Sequence, residues 1–143
     1  MDFFFTISLD FELHWGGFEK WPLDQYRDYF LKTREVIPRM LNSFEQYKVH
    51  ATWATVGLLL HQNREELRSI FPEEKPTYHN RSLGVSNYIS QNELGTDEKD
   101  DPFHYAPSLI QKILITEGQE LASHSYGHYY CNEPGQNPQQ FKA

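Results

Sequence analysis

The stretch Phe4-Phe5-Thr6-Ile7-Ser8-Leu9-Asp10-Phe11-Glu12 is an apolar run that ends abruptly in two carboxylates. Its aromatic and aliphatic residues, with the β-branched pair Thr6-Ile7, read as a buried strand over residues 3–9. A run of that kind belongs to a parallel sheet covered on both faces. An ionised carboxylate at the end of such a strand is costly unless something pairs with it. Asp10 and Glu12 stand two residues apart, so on a strand they project from the same face. Two acids aimed one way at the C-terminal end of a core strand occupy the place where α/β proteins hold ligands and metals. A plainer reading stays open beside it, in which one acid caps the next turn and the other is solvated.

Outward from this stretch, residues 13–24 carry aromatics, two glycines and a proline and read as a loop. From Tyr26 to Tyr47 apolar residues recur at helical spacing (Tyr26, Phe30, Ile37, Leu41, Phe44), with Pro38 predicting a kink or a fresh helix start. His50 to Gly57 reads as a second strand, and residues 58–71 as a second helix stopped by Pro72. Residues 72–105 are expected to form an insertion with local structure, since a loop of that length is unusual inside a compact domain. Its acidic run Asp97-Glu98-Lys99-Asp100-Asp101 reads as a solvated face. Helical spacing resumes from Ala106 to Thr116, Gly118 is a C-cap candidate, and Glu120 to Ser123 reads as a short third strand. Strands alternating with helices predict an α/β fold with a parallel sheet.

Composition narrows the partners. With 143 residues the chain has enough length for a true core but is short for a whole α/β barrel. A net charge of −7 and no basic stripe argue against nucleic acid and against anionic membrane surfaces. Aromatic residues make up 15% of the chain, which suits a packed core or a carbohydrate-facing cleft. The single cysteine, Cys131, permits no internal disulfide. The N-terminus lacks the features of a signal peptide and no window reaches membrane-spanning length, so a cytoplasmic location is expected.

After the third strand the sequence reads Ser123-His124-Ser125-Tyr126-Gly127-His128. Two histidines four apart on one side of a turn can hold one divalent cation, at a Zn–N distance of about 2.0–2.1 Å. Such a pair arises readily by chance among seven histidines. It gains weight because the preceding strand brings it to the same sheet edge as Asp10 and Glu12. A carboxylate with two histidines leaves coordination positions free for water and substrate, which is the catalytic arrangement. Ser125 stands where the zincin helix needs a glutamate, so that motif is excluded.

Three segments together resemble the N-terminal part of a polysaccharide deacetylase of the NodB-homology type (carbohydrate esterase family 4). Thr6-Ile7-Ser8-Leu9-Asp10-Phe11-Glu12 resembles its first motif, a strand ending in two acids. His50-Ala51-Thr52-Trp53-Ala54-Thr55-Val56-Gly57 resembles the strand that commonly reads ATFFVVG, and Ser123 to His128 resembles the H-[ST]-x-x-H motif. Order and spacing agree across nearly the whole chain. The resemblance implies an incomplete (β/α) barrel of the glycoside hydrolase/deacetylase type with parallel strands, covering residues 1–143. It implies Asp10 as catalytic base and Glu12, His124 and His128 as ligands of a divalent metal, zinc first among the candidates. Many relatives have adjacent acids where Phe11 here separates them, and Glu12 is longer than their usual aspartate. His14 shares the face of the two acids only if the strand persists, and a loop histidine is the expectation.

The activity implied is removal of N-acetyl groups from an amino sugar in polysaccharide biosynthesis, with a carbohydrate substrate. The late family motifs, which supply a general acid and an arginine, are not visible in the sequence. The chain is therefore expected to be catalytically impaired alone, and either to self-associate through an exposed sheet edge or to dock on a partner. Two alternatives stand: hydrolysis of a small non-sugar amide, or a non-enzymatic metal-binding fragment. Trp53 is expected in the core. Trp15 and Trp21 are candidates for a cleft wall. Tyr126, Tyr129 and Tyr130 are expected to pack or to support the histidines, Ser125 to hydrogen-bond around them, and Cys131 to be a spectator.

Overall fold

The computed structural model describes residues 4–142. Three parallel strands, β1 (Ser8–Phe11), β2 (Ala51–Thr55) and β3 (Gln119–Ser123), lie side by side in the order β1-β2-β3. The register pairs Leu9 with Trp53 and Trp53 with Leu121, so one face of the sheet carries Leu9, Phe11, Ala51, Trp53, Thr55 and Leu121. Helices α1 (Leu23–Tyr47) and α4 (Pro107–Ile115) supply Ile37-Leu41 and Leu109-Ile110-Ile113 to the same core, and α1 also buries Phe30. The fold is α/β with a small open parallel sheet.

The first strand differs from its sequence reading. Phe3 lies outside the described residues, and the strand starts only at Ser8, with Phe4 and Phe5 93% and 88% exposed. β2 is five residues long and its ladder with β1 runs from Ser8 opposite Thr52 to Phe11 opposite Thr55, so nothing pairs with the phenylalanines. Nor is β1 covered on both faces: Ser8 and Asp10 are exposed while Phe11 is buried. β1 is an edge strand, and its second face stays polar.

Residues 13–24 are more than a loop. A 3-10 turn at Leu13–Gly16 buries Leu13, His14 and Trp15, and Phe18 follows them into the core. Trp15 is therefore core and not a cleft wall, its indole N–H donating to the His104 carbonyl at 2.9 Å. Trp21 stays partly exposed. Pro38 starts no new helix, because α1 runs unbroken through it. The second predicted helix divides into a 3-10 turn, Gly57–Leu60, and α2 (Arg64–Ile70), which Asn63 caps by accepting the Glu66 amide. The insertion holds a short 3-10 turn and α3 (Val85–Gln91), and α5 (Pro138–Lys142) closes the described chain.

The acidic run is only in part a solvated face. Asp97 accepts the amides of Lys99 and Asp100, and Asp100 accepts that of Thr96. Glu98 pairs with Arg34 of α1 and accepts the Ser108 amide and hydroxyl at the start of α4. Asp101 is buried and bonds His104 Nδ1 at 2.8 Å. From there His104 Nε2 meets His14 Nδ1 at 2.9 Å, and His14 Nε2 meets the Trp21 carbonyl at 2.8 Å. The Tyr88 hydroxyl stands 3.1 Å from His104 Nε2 and 3.3 Å from His14 Nδ1, and burial holds the His14 imidazole below its ordinary value. Burial pushes the Asp101 carboxyl up. The His104 bond and charge and the Gly95 and Phe103 amides outweigh that and hold it below its ordinary value. Asp101 is the charged anchor of the core.

Candidate metal centre

The site forms where β1 and β3 end, on either side of β2. Glu12 is the first residue past β1, and the chain bends sharply behind it because Leu13 adopts a left-handed backbone (φ 47°). His124 is the first residue past β3, and its amide extends the ladder to the Thr55 carbonyl at 2.8 Å. Ser125 and His128 are both left-handed (φ 59° and 54°), which curls the segment so that both histidines face one way. The curl is fastened to the end of β2, since the Gly57 and Leu58 amides donate to the Ser125 and Tyr126 carbonyls at 3.0 and 2.9 Å. Gly57 permits this approach, because a Cβ there would sit 3.1 Å from the Tyr126 Cα. Ser125 Oγ accepts the Tyr129 amide at 2.7 Å, the supporting role its sequence position predicts.

Glu12, His124 and His128 come together as predicted. Glu12 Oε1 lies 2.8 Å from His124 Nε2 and 3.1 Å from His128 Nε2, and one donor atom from each residue falls within 4.8 Å of the others. The His128 bond, with the charges of both histidines, outweighs burial and holds the Glu12 carboxyl below its ordinary range. The same bond, with the Glu12 and Glu19 charges, holds the His128 imidazole above its ordinary value.

This donor set fits a small divalent cation. Tetrahedral bonds of about 2.0–2.1 Å set neighbouring donors about 3.3 Å apart, so the carboxylate, 2.8 and 3.1 Å from the two rings, needs to part from each by about half an ångström or less. Two neutral imidazoles and one carboxylate suit zinc by ligand type. Beside the triad opens a shallow pocket of about 230 Å³ lined by Ser123, His124, His128 and Cys131 among others.

Asp10 is mostly exposed and stands at the margin of the group, its Oδ1 3.8 Å from His124 Nδ1. It therefore faces the ring nitrogen opposite the one that meets Glu12. His14 does not join the site, being committed to the buried chain with His104.

Sequence reasoning missed two supporting residues, Gly16 and Glu19, and anticipated a third, Tyr130, as packing beside the histidines. Gly16 lies under Glu12, where a Cβ would meet the carboxylate. Tyr130 packs edge-on against the His128 ring at 5.0 Å, and its hydroxyl donates to Glu19 Oε1 at 2.9 Å. Glu19 has a nearly buried side chain, 5% exposed. The available signal was an acid set within an otherwise aromatic and glycine-rich segment. Comparison with protein-family models, with curated proteins and with solved structures finds no match for this chain.

Proposed function

We propose that the chain is a metal-dependent N-deacetylase unit of the polysaccharide deacetylase type, acting on an acetylated amino sugar. The observation that carries this reading is the convergence of Glu12, His124 and His128 at the C-terminal ends of two parallel strands, with Asp10 at its margin. In this reading the three strands are the opening strands of a (β/α) barrel, and zinc is the metal. When bound, such an ion lowers the pKa of a coordinated water and polarises a carbonyl.

The residues divide the remaining work. Glu12, His124 and His128 would hold the ion, and the pocket beside His124, His128 and Cys131 would take the acetyl group. Asp10, mostly exposed with its Oδ1 3.8 Å from His124 Nδ1, would accept the proton of the attacking water. Ser125 and the Gly57 and Leu58 amides keep the two imidazoles in register, so the geometry does not reorganise during the reaction.

The test has two steps. Zinc content of the purified chain is measured beside a His124→Ala/His128→Ala double variant, with about one ion per chain expected only in the parent. Acetate release is then followed from N-acetylglucosamine oligomers and from small non-sugar amides. Zinc binding with release from the sugars supports the reading. Release from the amides alone moves the substrate class, and no zinc in a folded chain overturns it.

A further inference from the structure

Among the described residues, two buried side-chain polar atoms have no hydrogen-bond partner: His128 Nδ1 and Glu19 Oε2. A buried donor or acceptor left unpaired costs about 1–3 kcal/mol, so two such atoms near one site call for an explanation. One is a nitrogen that must carry a proton under ligation. With His128 Nε2 turned toward Glu12 and given to a metal, the neutral ring keeps its single proton on Nδ1. A ligating histidine holds its tautomer and orientation by donating that proton to an acceptor.

Tyr130 joins the two atoms. Its ring packs edge-on against His128, while its hydroxyl donates to Glu19 Oε1. Lys20 Nζ stands 3.3 Å from the same Oε1, so both of the carboxylate's partners are on one oxygen and the other is spare. The Tyr130 amide is itself fixed by the Tyr78 hydroxyl at 2.9 Å, so the tyrosine is a fixed spacer and not a loose side chain.

We propose that Glu19 is a positioning residue of the metal centre: its spare Oε2 is not in contact with His128 Nδ1 in the metal-free chain and turns to accept that nitrogen's proton when Nε2 binds the metal. This rests on the metal-centre reading above. Glu19 then completes a carboxylate–histidine–metal line in which Tyr130 sets the carboxylate's place. Glu12 serves as the ligand and Glu19 as the residue that aims one.

The full chain is titrated with zinc against a competing chelator, as parent, Glu19→Ala, Glu19→Gln and Tyr130→Phe, with melting of each metal-free protein as the fold control. Glu19→Ala is expected to weaken zinc affinity about 10–100-fold. Glu19→Gln should recover part of the loss through its amide oxygen. In ¹⁵N-histidine spectra of the zinc-loaded parent, one Nδ1 proton is expected to be sharp and slow to exchange, and to vanish in Glu19→Ala. A folded Glu19→Ala chain with zinc affinity within about twofold of the parent overturns the proposal but leaves the metal centre standing. If Glu19→Ala does not fold, Tyr130→Phe decides: several-fold weaker binding supports the proposal, and parental binding overturns it. A parent that binds no zinc removes the metal centre, and this inference with it.

Discussion

Gly16 lies directly beneath the Glu12 carboxylate: a Cβ added there would come 1.8 Å from Oε2 and 2.8 Å from the Glu12 Cβ. The site's acid occupies space that any larger residue would claim. Gly16→Ala is therefore expected to turn Glu12 away from both histidines and weaken zinc binding by about tenfold. The fold should survive, because the obstructed atoms belong mainly to one side chain. Zinc affinity and the melting temperature of the metal-free variant check the two halves of this statement separately.

Asp10 and Glu12 share a strand end but should separate in experiment. Glu12→Gln removes an anionic ligand and is expected to abolish stoichiometric zinc binding. Asp10→Asn should keep zinc affinity within a few-fold and lower turnover by about 10²–10⁴-fold, the ordinary worth of a general base. A fall in affinity equal to the fall in turnover would instead make Asp10 the partner of His124 Nδ1, from which it stands 3.8 Å.

The triad predicts opposite pH trends with and without metal. His128 is held above its ordinary 6.5, so its pairing stabilises the metal-free chain fully below that pH and is lost as pH rises through the folded value. Glu12 is held below its ordinary 4.5, so its share is present above that pH and is lost as pH falls through the folded value. From this pair alone, the metal-free chain is most stable between pH 4.5 and 6.5. Zinc requires both rings deprotonated, so its stabilisation grows with pH over that range and beyond. Melting curves from about pH 5 to 8, with and without zinc, should diverge as pH rises.

Asp101 offers a prediction independent of the site. It accepts the His104 Nδ1 proton in the core, so Asp101→Ala leaves that buried donor unpaired and is expected to cost about 1–3 kcal/mol. Because its carboxyl is held below the ordinary 3.8, its contribution is present above that pH and is lost as pH falls through the folded value. Denaturant titrations of parent and variant at neutral and acidic pH measure both effects. Equal stabilities at neutral pH would show that the Asp101–His104 bond adds nothing net to the fold.

The site was legible in the sequence because its residues sit at strand ends, where alternation and a four-residue histidine spacing fix direction. The three strands and the stripes of α1 and α4 were legible for a similar reason, since each buries a periodic face. Hydrophobic content misled where pairing decided the outcome: Phe4 and Phe5 are the most strand-like residues of their run, yet β2 is too short to reach them. Residues 13–18 were illegible because their burial follows from long-range bonds, such as that of Trp15 to His104, which leave no local period. The acidic run hid Asp101 in the same way, because its partner histidine is recognisable only once His14 stands behind it.

The two ligand segments flank β2, with Glu12 on one side and the histidines on the other, and they are drawn from nearly opposite ends of the chain. A bound ion would therefore act mechanically as well as chemically, clasping the edge strand β1 to the far side of the sheet. Without it, β1 has four residues and a single neighbour, which makes it the segment of the sheet that opens first. Amide hydrogens from Ser8 to Phe11 should then exchange with solvent much faster than those of β2 in the metal-free protein, and the ion should slow them. The rate at which that strand breathes becomes a reporter of what the centre holds, readable in the absence of any substrate.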